Sequence, residues 1–321
     1  MAVLIITALL MPEKEKLTKL IKIDGSSTVY PITEAVSEEF QKLKKGAIKV
    51  TVGISGTGGG FKKFLRGEVN IIGASRPISK KEIEDCLKNN IEYTELPIAY
   101  DGICVVVNPK NSWIDSLTVS ELKKIWEPDA KENVLRWNDV DPKWPNEPIN
   151  LYGPGVDSGT FDYFTEAIVG KSKASRSDYT SSEDDNVLVQ GVAFDRNALG
   201  YFGLAYYEEN KDKLKLVAIV NPDTNEAVYP SEETIIDGSY KPLSRPLFIY
   251  VNKNSIKKEE IKEFINFYLK NSPNLCREVG YLPIPEKTQK LVMKRFTEVK
   301  TGTVFEGEMQ AGVKLEDLLK K

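Results

Sequence analysis

The sequence predicts an α/β fold divided into two lobes, each a mixed sheet flanked by helices, joined by two crossing strands. Three observations lead there. Apolar runs with strand character alternate with runs of helical periodicity. Three short loops rich in glycine and hydroxyl side chains each follow such a strand and open such a helix. An apolar strand ending in an Asn/Lys/Ser turn also occurs twice, about 140 residues apart, the size of one domain.

The elements follow in order. Lys22–Asp24 reads as a short strand, and Pro31–Leu43 as a helix with Ile32, Ala35, Val36 and Phe40 on one face. Ile48–Ile54 alternates as a strand, Gly60–Arg66 begins a second helix, and Ile71–Ala74 is again strand-like. The repeated strands are Val105–Asn108 and Ile249–Asn252, which precede helical segments at Val119–Trp126 and Lys258–Lys270. They are expected to carry the chain into a second lobe and back, leaving a hinge and a cleft. The expected division is 22–104 and 252–321 for the first lobe and 105–251 for the second. The apolar run Ala2–Met11, followed by Pro12 and charged residues, suits the core of an export signal over residues 1–21. It lacks a basic leader, a small-residue cleavage site and a Cys for lipid attachment, so it reads as a truncated or degenerate signal.

The loops carry the chemistry. They are Gly25-Ser26-Ser27-Thr28-Val29-Tyr30-Pro31, Ser55-Gly56-Thr57-Gly58-Gly59-Gly60-Phe61 and Asp157-Ser158-Gly159-Thr160-Phe161. Small residues at a helix start leave backbone N–H groups at the positive end of the helix dipole, and hydroxyls add donors. One such loop is ordinary, but three that converge would enclose a compact tetrahedral anion. Ligands on such sheets bind beyond the carboxyl ends of the strands, where these loops lie.

Composition removes other chemistries. The chain of 321 residues has no histidine, which excludes a Ser-His-Asp triad and His-containing zinc sites. Cys86, Cys104 and Cys276 are too far apart for a metal-binding spacing, leaving one disulfide or buried thiols. No metal or cofactor is expected. The net charge is −3, and no basic block interleaved with aromatics points to nucleic acid.

With these residues in place, the chain resembles the periplasmic phosphate-binding proteins of bacterial phosphate ABC transporters. The resemblance rests on the first two loops, on Gly73-Ala74-Ser75-Arg76-Pro77-Ile78 and on Ser158-Gly159-Thr160-Phe161. It continues through Ser175–Tyr179, Asp184–Gly191 and Leu199–Gly203, and covers roughly residues 22–290 in the family's order. It implies a type II periplasmic binding protein, monomeric, that closes on inorganic phosphate and delivers it to a membrane permease. By position, Ser27, Thr28 and Thr57 match first-lobe donors, with Ser26 and Gly56 beside them, and Ser158, Gly159 and Thr160 match second-lobe donors. Arg76 stands where the best-known members carry a phosphate-facing Asp, and Pro154 where they carry a phosphate-binding Arg. A swap is expected in which Arg76 supplies the guanidinium.

Phosphate that keeps a proton needs an acceptor, whereas sulfate offers none, so a carboxylate in the site would select phosphate. Asp157 is the first candidate, against a role as helix cap, and Asp101 the second. Arg176 and Asn186 are further candidates for the cleft, against capping or surface roles. Sulfate, molybdate or tungstate remain alternative ligands. A phosphate-ester hydrolase is the enzyme alternative, opposed by the missing His and by the absence of a Gly-Lys-Ser/Thr loop.

Overall fold

The computed structural model describes residues 19–305 and 314–320. The apolar run Ala2–Met11 lies outside the described residues. The chain opens with β1 (Lys19–Gly25), α1 (Tyr30–Leu43), β2 (Ile48–Val52), α2 (Gly56–Leu65), β3 (Ile71–Ala74) and α3 (Lys80–Lys88). β2, β1 and β3 are parallel neighbours, the arrangement that strand–helix–strand repetition favours.

The next strand, β4 (Tyr93–Val107), is 15 residues long and buried throughout. Its first part, Tyr93–Gly102, pairs antiparallel with β11 (Ser244–Asn252), which also pairs with β3. Its last part, Ile103–Val107, pairs with β8 (Ala198–Gly203) and, over Val105–Val107, with β9 (Lys215–Val220). β4 thus leaves one sheet and joins another at Gly102–Ile103. Behind β8 the second sheet continues through β6 (Asn150–Pro154) and β7 (Thr180–Ser182), both parallel. β5 (Ser116–Thr118) and β10 (Ala227–Val228) flank β9, and α4 (Val119–Trp126) follows β5.

The crossover differs from the sequence reading in place. Ile249–Asn252 pair with Leu96–Tyr93, and Ile249–Val251 with Gly73–Ile71, well inside the first sheet. Val105–Val107 pair with Tyr201–Leu199, inside the second. The two echoed segments are the far ends of two long strands. The chain crosses instead at Asp101–Ile103 and just before Ser244, where the Ile103 amide donates to the Leu243 carbonyl at 2.9 Å.

Helix boundaries moved for a physical reason at α2, which starts at Gly56 and not at Gly60. A Cβ on Gly60 would come within 2.8 Å of the Gly25 Cα, so the glycines let this helix start lie directly on the end of β1. The expected helix over Lys258–Lys270 runs from Glu259 to Glu278, with Pro273 inside it. In the second lobe, Trp126 packs edge-on against Phe164, Tyr179 and Tyr201, fixing the helix that follows β6 against the sheet. Cys86, Cys104 and Cys276 are free, buried thiols.

Candidate functional site

The end of β1 sets the first wall. The Ser26 amide donates to the Gly73 carbonyl at 3.0 Å, which continues the β1–β3 pairing for one residue. The chain then turns through Ser27 and Thr28 into α1, with the Thr28 amide donating to Ser26 Oγ at 3.2 Å. Beneath the turn, the buried Asp24 accepts from Lys63 Nζ at 2.5 Å and from Ser55 Oγ. That ion pair ties the loop before α2 to the end of β1. It sets Gly56, Thr57 and Gly58 opposite Ser26 and Thr28. Thr57 Oγ1 accepts the Ser75 amide at 3.1 Å and lies 3.2 Å from Ser75 Oγ, which joins the second loop to the segment that follows β3.

These loops line one side of a cavity of about 230 Å³. The other side comes from the helix Gly159–Phe164 and the π-helical turn Thr165–Val169, through Asp162, Tyr163 and Glu166. Arg245, at the start of β11, closes the floor. Its Nη2 donates to Thr28 Oγ1 at 3.0 Å, and Nε and Nη2 each reach Asp101 Oδ2 at 3.4 Å. Burial pushes the Asp101 carboxyl up, and the Arg245 charge and hydrogen bonds pull it back down, leaving it above its ordinary value. Arg245 is 9% exposed. It is a buried cation at the bottom of a hydroxyl-lined cavity.

The two sides touch across the cavity. Ser27 Oγ donates to Asp162 Oδ2 at 3.1 Å, and Thr28 Oγ1 to the Gly159 carbonyl at 3.3 Å. A Cβ on Gly159 would lie 2.7 Å from the Thr28 Cα and amide nitrogen, so only glycine permits this approach. The second oxygen of Asp162, Oδ1, is buried and has no hydrogen-bond partner among the described residues; Lys173 Nζ lies 3.7 Å away. A buried acceptor left without a hydrogen bond is costly, and the Lys173 ammonium is the charge beside it.

The candidates from the sequence fall into two groups. Ser26, Ser27, Thr28, Gly56, Thr57 and Arg76 all line the cavity. Asp101 stands behind it through Arg245. Arg76 is engaged elsewhere, because its two terminal nitrogens pair with Glu82 at 2.9 and 3.0 Å and one also donates to the Pro77 carbonyl. Burial works to raise the Glu82 carboxyl, but hydrogen bonds from Arg76 and Ser79 take it below its ordinary value. Ser158, Gly159 and Thr160 sit one turn before Asp162, with Ser158 Oγ accepting the Thr160 amide at 3.2 Å as a helix cap. Gly159 adjoins Thr28, and none of the three lines the cavity.

The remaining three are placed away from it. Asp157 is exposed, and its amide faces Glu183 Oε1 at 3.4 Å. Asn186 is exposed at the start of the helix Asp185–Phe194, where its amide donates to Asp184 Oδ1. Arg176 is buried, but it holds Asp178 at 2.7 and 2.8 Å and the carbonyls of Ile125 and Val134. It clamps the end of α4.

Sequence reasoning missed Arg245, Asp162, Tyr163 and Glu166. Arg245 had a signal: a charged residue in an otherwise apolar strand needs a reason to be buried. Chemically, the cavity offers hydroxyl and amide donors, one buried guanidinium and acceptor carboxylates. No group of His, Cys, Asp or Glu among the described residues could hold a metal ion. This donor and acceptor set suits a small oxyanion that still carries a proton.

Comparison with known proteins agrees with that chemistry. The PBP superfamily domain model matches residues 12–272. "Protein SphX" of Synechococcus elongatus is 53% identical over 301 residues, covering 94% of this chain and 88% of its own length. The "Phosphate-binding protein PstS" of Staphylococcus saprophyticus is 42% identical over 270 residues, covering 83% and 81%. Among solved structures, a "possible phosphate binding protein" from Planctomyces limnophilus superposes with a TM-score of 0.85 at 47% identity, over 88% of this chain and 99% of that one.

Proposed function

The chain belongs to the PBP superfamily, in the family of the SphX and PstS proteins, and from that premise we propose that it binds inorganic phosphate between its lobes and hands it to the permease of a phosphate ABC transporter. The observation that carries this reading is Arg245, buried beneath Thr28 and lining a cavity walled by the hydroxyl residues Ser26, Ser27, Thr28, Thr57 and Ser75 and, from the second lobe, by Asp162. In this reading Arg245 takes the guanidinium role expected of Arg76. The hydroxyls of Ser26, Ser27, Thr28, Thr57 and Ser75 supply the further donors. Asp162 accepts the proton of phosphate, the role expected of Asp157 or Asp101. Ser158, Gly159 and Thr160 contribute by bringing the second lobe against Thr28, which shields the anion from water.

The protein works outside the cytoplasm, as a monomer, and performs no covalent chemistry on its ligand. No helix among the described residues is long and apolar enough to cross a membrane. Titration calorimetry tests the reading directly. One phosphate should bind with micromolar or tighter affinity, about −8 kcal/mol or better, and sulfate much more weakly. A chromogenic phosphate ester should remain intact. Absence of heat and of thermal stabilisation in millimolar phosphate would refute the proposal.

A further inference from the structure

A second cavity of about 270 Å³ adjoins the first. The two share Ser75, Arg76, Tyr163, Glu166 and Arg245 as lining residues. Beyond these, the character changes. The second cavity is walled by the rings of Pro77, Pro242 and Pro246 and by the methyl group of Ala167. Hydroxyl donors crowd the first cavity, while the second is mostly apolar.

Building on the phosphate reading, we propose that the site also takes phosphonates and phosphomonoesters of short uncharged organic groups. The phosphoryl oxygens lie among the donors of the first cavity, with the organic group beside Ala167 and Pro242. Two observations fix the chemical class. First, an anion that uses three oxygens on the Thr28, Thr57 and Arg245 side and on Asp162 has one substituent left, and the apolar walls beyond Arg245 reward carbon there. Second, the cations of the second cavity other than Arg245 are already paired. Arg76 is held by Glu82, and Lys241 Nζ lies 3.1 Å from Asp223 Oδ2. A second phosphoryl group, as in pyrophosphate, would find paired cations and the Glu166 carboxylate, and its charge would go uncompensated. The fourth substituent is therefore neutral and short.

The experiment titrates the full chain with phosphate, ethylphosphonate, glycerol phosphate and pyrophosphate, and repeats the titrations on Ala167→Leu. Ethylphosphonate should bind within about 100-fold of phosphate, and pyrophosphate should not compete. Ala167→Leu should weaken ethylphosphonate and glycerol phosphate at least tenfold while phosphate changes less than threefold. Retained phosphate binding also reports that the variant is folded. Failure of ethylphosphonate to bind at millimolar concentration, or equal weakening of all ligands by Ala167→Leu, overturns the inference. Tight pyrophosphate binding that Ala167→Leu removes would overturn the neutral substituent. A parent protein that binds no phosphate refutes the functional reading separately.

Discussion

The Arg245 guanidinium lies 3.4 Å from the centre of the Tyr163 ring, joining the start of β11 to the helix Gly159–Phe164 of the second lobe. A cation over a desolvated aromatic face is attracted to it by roughly 2 kcal/mol, and Tyr163 is itself anchored by donating to the Pro242 carbonyl at 2.6 Å. The guanidinium is therefore held on three sides, by Thr28, Asp101 and Tyr163. That leaves one direction for a ligand, into the cavity.

The first prediction separates the two arginines. Arg245→Met should weaken phosphate binding by about 3 kcal/mol or more, because it removes charge-assisted bonds of about 1.5–3 kcal/mol each. It should also destabilise the fold, since Asp101 is left buried without a counter-charge. Adding Asp101→Asn should recover stability but not binding. Arg76→Ala should cost less than Arg245→Met, because Glu82 already occupies both of its terminal nitrogens. Calorimetry on the three variants checks this, and a larger loss for Arg76→Ala would return the guanidinium role to Arg76.

A second prediction concerns selectivity. Asp162→Asn should keep most of the phosphate affinity, since an amide oxygen can still accept the ligand proton. It should strengthen sulfate binding about tenfold or more, because a fully ionised anion no longer meets a carboxylate. Competition titrations of phosphate against sulfate give the ratio directly. An unchanged ratio would remove Asp162 from the specificity machinery.

The fold was legible because its signals are local. The alternation of Ile48–Val52, the apolar face of α1 and the glycines before α2 each determine their own element. The positions of the charged groups were not legible in the same way. Arg176 and Arg245 are both buried arginines, and nothing beside either in sequence says which one faces carbonyls and which a cavity. That depends on β4 and β11 crossing at Gly102 and Ser244, a pairing between residues more than 140 positions apart. Asp162 was hidden for a related reason. It lies two residues past Thr160, and only the closeness of Gly159 to Thr28 turns that helix so that Asp162, and not Ser158, meets the cavity.

The third prediction tests that closeness. Gly159→Ala places a methyl group against the backbone of Thr28, which cannot move aside as a flexible side chain would. The lobes must stay slightly apart. Phosphate affinity should fall about tenfold, or ~1.4 kcal/mol. Stability of the ligand-free protein should hold or rise by up to about 1 kcal/mol, because alanine favours a helix over glycine. Calorimetry for binding and thermal melts without ligand separate the two effects. Normal phosphate binding by Gly159→Ala would show that closure at Thr28 does not contribute.

The last prediction is a pH dependence away from the cavity. Asp185 opens the helix Asp185–Phe194, and burial first, then the neighbouring charges of Asp184 and Glu183, push its carboxyl from 3.8 up to about 7. The folded state thus binds this proton more tightly than the unfolded chain does. Stability from the neutral carboxyl is complete below about pH 4, declines as pH rises through about 7, and is gone above it. Asp185→Asn removes the charge without changing the shape. It should leave the melting temperature unchanged near pH 4 and raise it near pH 8, by roughly 2–4 °C for each kcal/mol relieved. The side chain is only half-buried by surface exposure, so solvent screening reduces the free energy relieved and with it the gain. Melting curves of both proteins across pH 4 to 8 should therefore diverge as pH rises, and parallel curves would show that Asp185 titrates as an ordinary surface carboxylate.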